Sequence, residues 1–229
     1  PEAPSLLRSG RSTSVQMAYM ARGLAAWDAQ FNQNTSSETD AALRHLIGKM
    51  QAEDGSIRVR FRYPPINSDT WHGSAMAAIA VATAPGWFDK LQNKPLLAKI
   101  AKLKSFLRDT PPQNDHHRLL LLWTAAHWED FLDKDRKQQL MESVWNHQRP
   151  DGGWSVRTFA TPETLGGGAK AQKLKNEPNY KNPPSDGYQT GIAVIVLRDA
   201  GIPANDPRIQ NAVNWLRKES AESNPVTAE

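Results

Sequence analysis

The residues of this chain best suited to chemistry are three aspartates with imidazoles and aromatics close by. Asp69 precedes Trp71 and His72, Asp115 precedes His116 and His117, and Asp186 precedes Tyr188. Carboxylates and imidazoles move protons near neutral pH and hold divalent metals. Each aspartate opens an apolar helical run. Were those runs to lie side by side and parallel, Asp69, His72, Asp115, His116 and Asp186 would collect at one mouth, where acid–base work or a divalent ion is the chemistry to consider. The adjacent pair His116-His117 points about 100° apart on a helix. The two rings therefore do not easily share an ion, and no metal or cofactor is assigned. A simpler role competes at every one of these positions. Ser68-Asp69-Thr70, Asn114-Asp115-His116 and Ser185-Asp186-Gly187 each put a side-chain acceptor where a helix begins, which is N-cap chemistry. Spacing defines no Ser-His-Asp triad, since a triad is a matter of geometry. Gly166-Gly167-Gly168 lacks both the following Lys-Ser/Thr and the preceding strand of a phosphate-cradling loop.

The elements that must position these residues are helical. Eight runs are predicted: Ser14 to Phe31, Glu38 to Gln51, Thr70 to Thr83, Lys94 to Arg108, Asp115 to Trp128, Lys134 to Gln148, Tyr188 to Ala200 and Pro207 to Glu219. In the first, Met17, Met20, Leu24 and Trp27 form one stripe. The third, fifth and seventh are apolar nearly all round and read as buried on all sides. The fourth, sixth and eighth carry one apolar and one charged face. Buried rods alternating with half-wet rods are what an α/α toroid of inner and outer helices requires. The expected fold is thus all-α, a partial α/α toroid of about four helical hairpins over residues 14–220. The segment 157–185, with its three glycines, four lysines and several prolines, reads as an insertion loop over one rim. Residues 1–13 and 221–229 read as flexible ends.

Composition narrows the function classes. The chain has 229 residues, 39% hydrophobic and 23% charged, enough for a real core. There is no cysteine, which excludes disulfides, thiolate catalysis and every zinc site that needs a Cys ligand. The longest apolar run, Leu119 to Trp123, is far too short to span a bilayer. Net charge is +4, but the bases are spread out, so no specific nucleic-acid partner is expected. Their densest stretch, Arg58, Arg60 and Arg62 alternating with Val59, Phe61 and Tyr63, reads as a solvated edge of an extended segment. Pro1-Glu2-Ala3-Pro4 is compatible with the remnant of a removed signal, and so with a secreted or periplasmic location.

One short pattern occurs twice. Gln148-Arg149-Pro150-Asp151-Gly152-Gly153-Trp154 follows the sixth helix, and Gln51-Ala52-Glu53-Asp54-Gly55-Ser56-Ile57 follows the second. Each puts Gln three residues before Asp-Gly and a bulky apolar residue two beyond that Gly. A pattern recurring at one place in a helix–loop unit marks a repeat architecture.

Gln-x-x-Asp-Gly-Gly-Trp after an amphipathic outer helix resembles the QW motif of squalene-hopene and oxidosqualene cyclases, in the terpenoid cyclase and protein prenyltransferase toroid superfamily. The resemblance covers about Ser14 to Ser220, and the copy at Gln51 has lost its Trp. It implies a structural role for Gln51, Asp54, Gly55, Gln148, Asp151, Gly152, Gly153 and Trp154: the Gln amide bonds exposed backbone at a neighbouring helix end, and the Trp packs against it. It also implies that inner-helix aromatics face a hollow, with Trp71, His72, His116, Trp123 and Tyr188 as cavity candidates and Tyr19 beside them; packing in a plain core is the alternative. Cyclases of this family carry Asp-x-Asp-Asp-Thr before an inner helix, with the middle Asp as proton donor. Here Ile66-Asn67-Ser68-Asp69-Thr70 keeps only the final Asp-Thr, and Ser68 stands where the donor would be. A serine hydroxyl is too weak an acid to protonate an alkene. The prenyltransferase zinc site needs a Cys and cannot form. The expected function is therefore a non-catalytic binding or interaction module for an apolar isoprenoid-type ligand or a protein partner, including further parts of a longer polypeptide. An active cyclase-type enzyme using Asp69, Asp115 or Asp186 is the alternative. A carbohydrate-active α/α toroid with paired carboxylates is a second.

Overall fold

The computed structural model describes residues 14–59, 69–165 and 168–223. Most of the Arg58 to Tyr63 stretch, together with Ser68, Gly166, Gly167 and the two chain ends, lies outside them. Among the described residues every regular element is helical, and the fold class is all-α. The chain divides into two compact units, residues 1–112 with 127–131, and residues 113–126 with 132–229.

The first unit holds α1 (Ser14–Trp27), α2 (Ser37–His45), α3 (Thr70–Thr83) and α4 (Lys94–Asp109). Two π-helical turns, Asp28–Asn32 and Leu46–Met50, extend α1 and α2. The start of α2 is fixed by Ser36, whose hydroxyl accepts from Thr39 N at 3.3 Å, and that of α4 by Asn93, which accepts from Leu96 N at 3.0 Å. α1 packs chiefly on α3. The contact face of α1 is small: Ala18, Ala21 and Ala25 are fully buried, against Ala75, Ala77, Ala78 and Ala80 of α3 in the same core. Alanine faces let two helix axes approach closely. The expected Met17–Met20–Leu24–Trp27 stripe is therefore not the buried one. Met17 is enclosed, but Trp27 is 60% exposed. α3 is buried all round from Trp71 to Val81, as its sequence requires. α4 buries only Leu96, Ile100, Leu103 and Leu107, each contributing about 1.5–3 kcal/mol relative to exposure.

The second unit holds α5 (Asp115–His127), α6 (Lys134–Asn146), α7 (Pro162–Leu165), α8 (Gly168–Lys175), α9 (Gly187–Asp199) and α10 (Pro207–Ser223). α5 is buried from His116 to Ala125 save Arg118, with Asp115, Ala126 and His127 half-buried. α6 turns only Leu140 and Val144 fully inward. Two predicted features are corrected. The 157–185 segment is not one loop, because α7 and α8 form within it. And α9, read as buried on all sides, has an open side, with Tyr188 39% and Ile195 46% exposed. Its core side is Gln189, Thr190, Ala193, Val196 and Leu197. The last helix also runs past the predicted end at Glu219.

Candidate functional site

The two Gln-Asp-Gly segments fold into the same device. In the second unit the Gln148 amide donates to the Gly152 carbonyl at 3.0 Å and to the Arg208 carbonyl of α10 at 2.9 Å. In the first unit the Gln51 amide donates to the Gly55 carbonyl at 2.9 Å and to the Lys99 carbonyl of α4 at 2.8 Å. One amide thus closes its own loop and ties that loop to a later helix of the same unit. Asp151 accepts from Gly153 N at 3.0 Å and Asp54 from Ser56 N at 3.0 Å, which shapes the turn. The Ser56 N–H and hydroxyl hold the Asp54 carboxyl below its ordinary range. A hydroxyl of α9 or α3 completes each clamp: Trp154 N donates to Thr190 Oγ1 at 2.9 Å, and Ile57 N to Ser74 Oγ at 2.8 Å.

The physical basis differs from an orphaned helix end. Arg208 lies in the first turn of its helix and Lys99 in the second, where carbonyls already accept within the helix. The Gln amide uses the second lone pair of each carbonyl. Gly55 and Gly152 sit at φ +90 and +93, a region that favours glycine. Each also presses on the helix its clamp holds: a Cβ on Gly152 would stand 2.9 Å from the Asn211 carbonyl, and one on Gly55 would collide with the Lys102 carbonyl. Trp154 is fully buried, donates its indole N–H to the Val144 carbonyl at 2.8 Å, and packs on Trp145 with ring centroids 5.8 Å apart. The Arg208 guanidinium covers Trp145 at 3.9 Å. Ile57, equally buried, takes the Trp position in the first clamp.

The heads of α3, α5 and α9 are built for capping. Asp69 accepts from His72 N at 2.9 Å, and Asp186 from Gln189 N at 2.8 Å. The other oxygen of Asp186 takes Val156 N at 2.6 Å. On α5 the cap is Asn114, which accepts from His117 N at 2.8 Å and leaves Asp115 free for other contacts. In the first unit Trp71 is 4% exposed with its N–H on the Thr110 carbonyl at 3.2 Å, and buried His72 meets Tyr19 OH through Nε2 at 2.6 Å. In the second unit Trp123 is 4% exposed and donates to Asp199 at 2.8 Å, while buried His116 gives its backbone N–H to the Phe159 carbonyl at 3.0 Å. Tyr188 alone of the five cavity candidates is exposed. Residues 154–159 link the heads of α5 and α9, since the Trp154 carbonyl takes Asp186 N at 2.8 Å in the same stretch that reaches Val156 and His116.

Asp115 is the aspartate at an open cavity. Its Oδ1 accepts from Arg118 at 2.6 Å and from the Ser143 hydroxyl at 3.3 Å, and its Oδ2 lies 3.2 Å from His147 Nε2. The His147 ring stacks on Phe159 at 4.5 Å. Sequence reasoning passed over Ser74, Thr190, Arg208, His147 and Ser143. Ser74 and Thr190 carried a faint signal, because each is a hydroxyl one turn into a largely apolar helix. No family model matches the chain, and no curated protein matches it.

Proposed function

We propose that the chain is a squalene-cyclase-like α/α-toroid module of about four hairpins that has lost the cyclase proton donor and acts by binding a partner. The carrying observation is at the head of α3. The aspartate that remains of the cyclase pattern caps the helix, and its neighbours Trp71 and His72 are enclosed and hydrogen-bonded. Among the described residues at that helix head the carboxylate is engaged as a cap, which supports the loss of the proton-donor role. The repeated Gln clamp supports the family reading, because both copies use the same atoms in the same roles. The binding reading rests on α1. Tyr19, Trp27 and Phe31 are 43%, 60% and 63% exposed, four-residue multiples apart on one side of the helix and its π-helical extension, with Trp27 and Phe31 in contact at 4.3 Å. An open aromatic stripe of this kind marks an interaction face, and a protein helix with an apolar stripe is the occupant that fits it.

A photo-crosslinking side chain at position 31, used in cells that make the protein, tests this reading. Discrete protein adducts that vanish on Trp27→Ser are the expected result. Adducts to isoprenoid lipid would move the ligand to the apolar small-molecule class, and adducts no more frequent than from position 137 on α6 would remove the interaction face. The enzymatic reading has one specific observation in its favour, the placement of Asp115 beside an open cavity with His147 against it. The glycosidase variant lacks its second carboxylate there, since Asp115 is the one acidic group among the described residues lining that cavity.

A further inference from the structure

The cavity at the head of α5 belongs neither to the clamps nor to the α1 face. It measures about 550 Å³ and lies within the second unit. Asp115 and Arg118 of α5 form one wall, and Arg157, Thr161, Thr164 and Lys181 of the 157–185 segment form the others. Three cations therefore face a single carboxylate, and that carboxylate is already engaged by Arg118, Ser143 and His147. Arg157 is paired with Glu177 from outside the cavity. The Lys181 ammonium is exposed and has no partner among the described residues. With Glu177 counted, the surroundings still carry excess positive charge. The whole 157–185 segment does too, with five basic residues against two acidic ones. The Arg157 and Arg118 side chains are only 22% and 40% exposed, so their charges are less screened than on an open surface. The cavity also lies at the N-terminal end of α5, where the helix dipole favours negative charge.

We propose that this cavity binds a small molecule through an oxyanion group, phosphate or carboxylate. Guanidinium groups take the oxygens of such a group in pairs, Lys181 supplies the uncompensated charge, and the Thr161 hydroxyl supplies a neutral hydrogen bond, the Thr164 hydroxyl being committed to the Thr161 carbonyl at 3.0 Å. Loading this site is independent of whether α1 docks a partner.

Calorimetric titration of the full chain with pyrophosphate, inorganic phosphate and citrate, at low ionic strength, tests the assignment. Saturable binding of at least one of these is expected, with affinity about tenfold lower in Lys181→Gln and in Arg157→Gln. Lys134→Gln, on exposed α6, should leave it unchanged. Preference for the phosphates identifies a phosphate ester as the ligand class, and preference for citrate a carboxylate. Should Arg157→Gln unfold through loss of its Glu177 contact, Lys181→Gln decides alone. The proposal is overturned if none of the three anions binds saturably, or if Lys134→Gln weakens binding as much as Lys181→Gln does.

Discussion

At the residue scale, the clamps are where single atoms carry most weight. Gln148→Ala leaves two loop and helix carbonyls without their amide, and the same holds for Gln51→Ala. Each should cost about 1–3 kcal/mol, read from the midpoint of urea unfolding. Glycines make a paired test with opposite signs. Gly152→Ala forces a Cβ at φ +93 against the Asn211 carbonyl and should destabilise by about 1–3 kcal/mol. Gly23→Ala, on the open side of α1 with nothing within 4 Å, should stabilise by about 0.5–1 kcal/mol. Asp28 gives a pH signature. It is 1% exposed and accepts from Asn32, from the Ser36 N–H and hydroxyl, and from Thr39. Burial pushes its carboxyl up, but these donors together hold it below the ordinary range. Its stabilisation is therefore present above the unfolded value near pH ~4 and is lost as pH falls through the lower folded value. Asp28→Asn should melt earlier at neutral pH, by roughly 2–3 kcal/mol, and show a flatter acid limb in melting temperature against pH. Capping aspartates and clamp glutamines were legible in the sequence, because their partners are local backbone or a repeated loop. The partner hydroxyls of Ser74 and Thr190 and the Asp115–His147 pair were not, because no local pattern brings residues 17 to 36 positions apart together.

At the element scale, the helices were legible and their faces were not. Periodicity located all eight long helices within a few residues. α1 has two apolar stripes, one of Met17, Met20, Leu24 and Trp27 and one of Ala18, Ala21 and Ala25. Hydrophobicity alone favours the larger. The alanine side is the one buried, because α3 offers alanines in return and only small residues permit that approach. α9 misled in the same way, since an apolar sequence does not reveal that one side has no neighbour. These exposed faces lead to a stability prediction. Trp27→Ser with Phe31→Ser should change the unfolding free energy of the free protein by no more than about 0.5 kcal/mol, since both rings are mostly in water. A Leu103→Ala change in α4, at a fully buried position, should cost about 2–5 kcal/mol. Comparable losses from the two changes would mean that the α1 aromatics are structural.

At the scale of the whole molecule, the all-α class followed from the 3.6-residue period and the lack of alternating stretches. The repeat followed from two loops of one pattern, and their shared bonding gives that repetition a physical content. What the sequence could not supply is which aspartate stands at a cavity, since Asp69, Asp115 and Asp186 look alike in one dimension. In the fold, two are committed to helix caps and one borders a basic cavity. The central prediction for the whole molecule is the absence of cyclase chemistry. Purified protein incubated with squalene and with shorter polyprenyl substrates, extracted and separated by gas chromatography with mass detection, should return the substrates unchanged. A cyclised product that forms with the wild-type chain and disappears in Asp115→Asn, while that variant keeps its melting temperature, would contradict it.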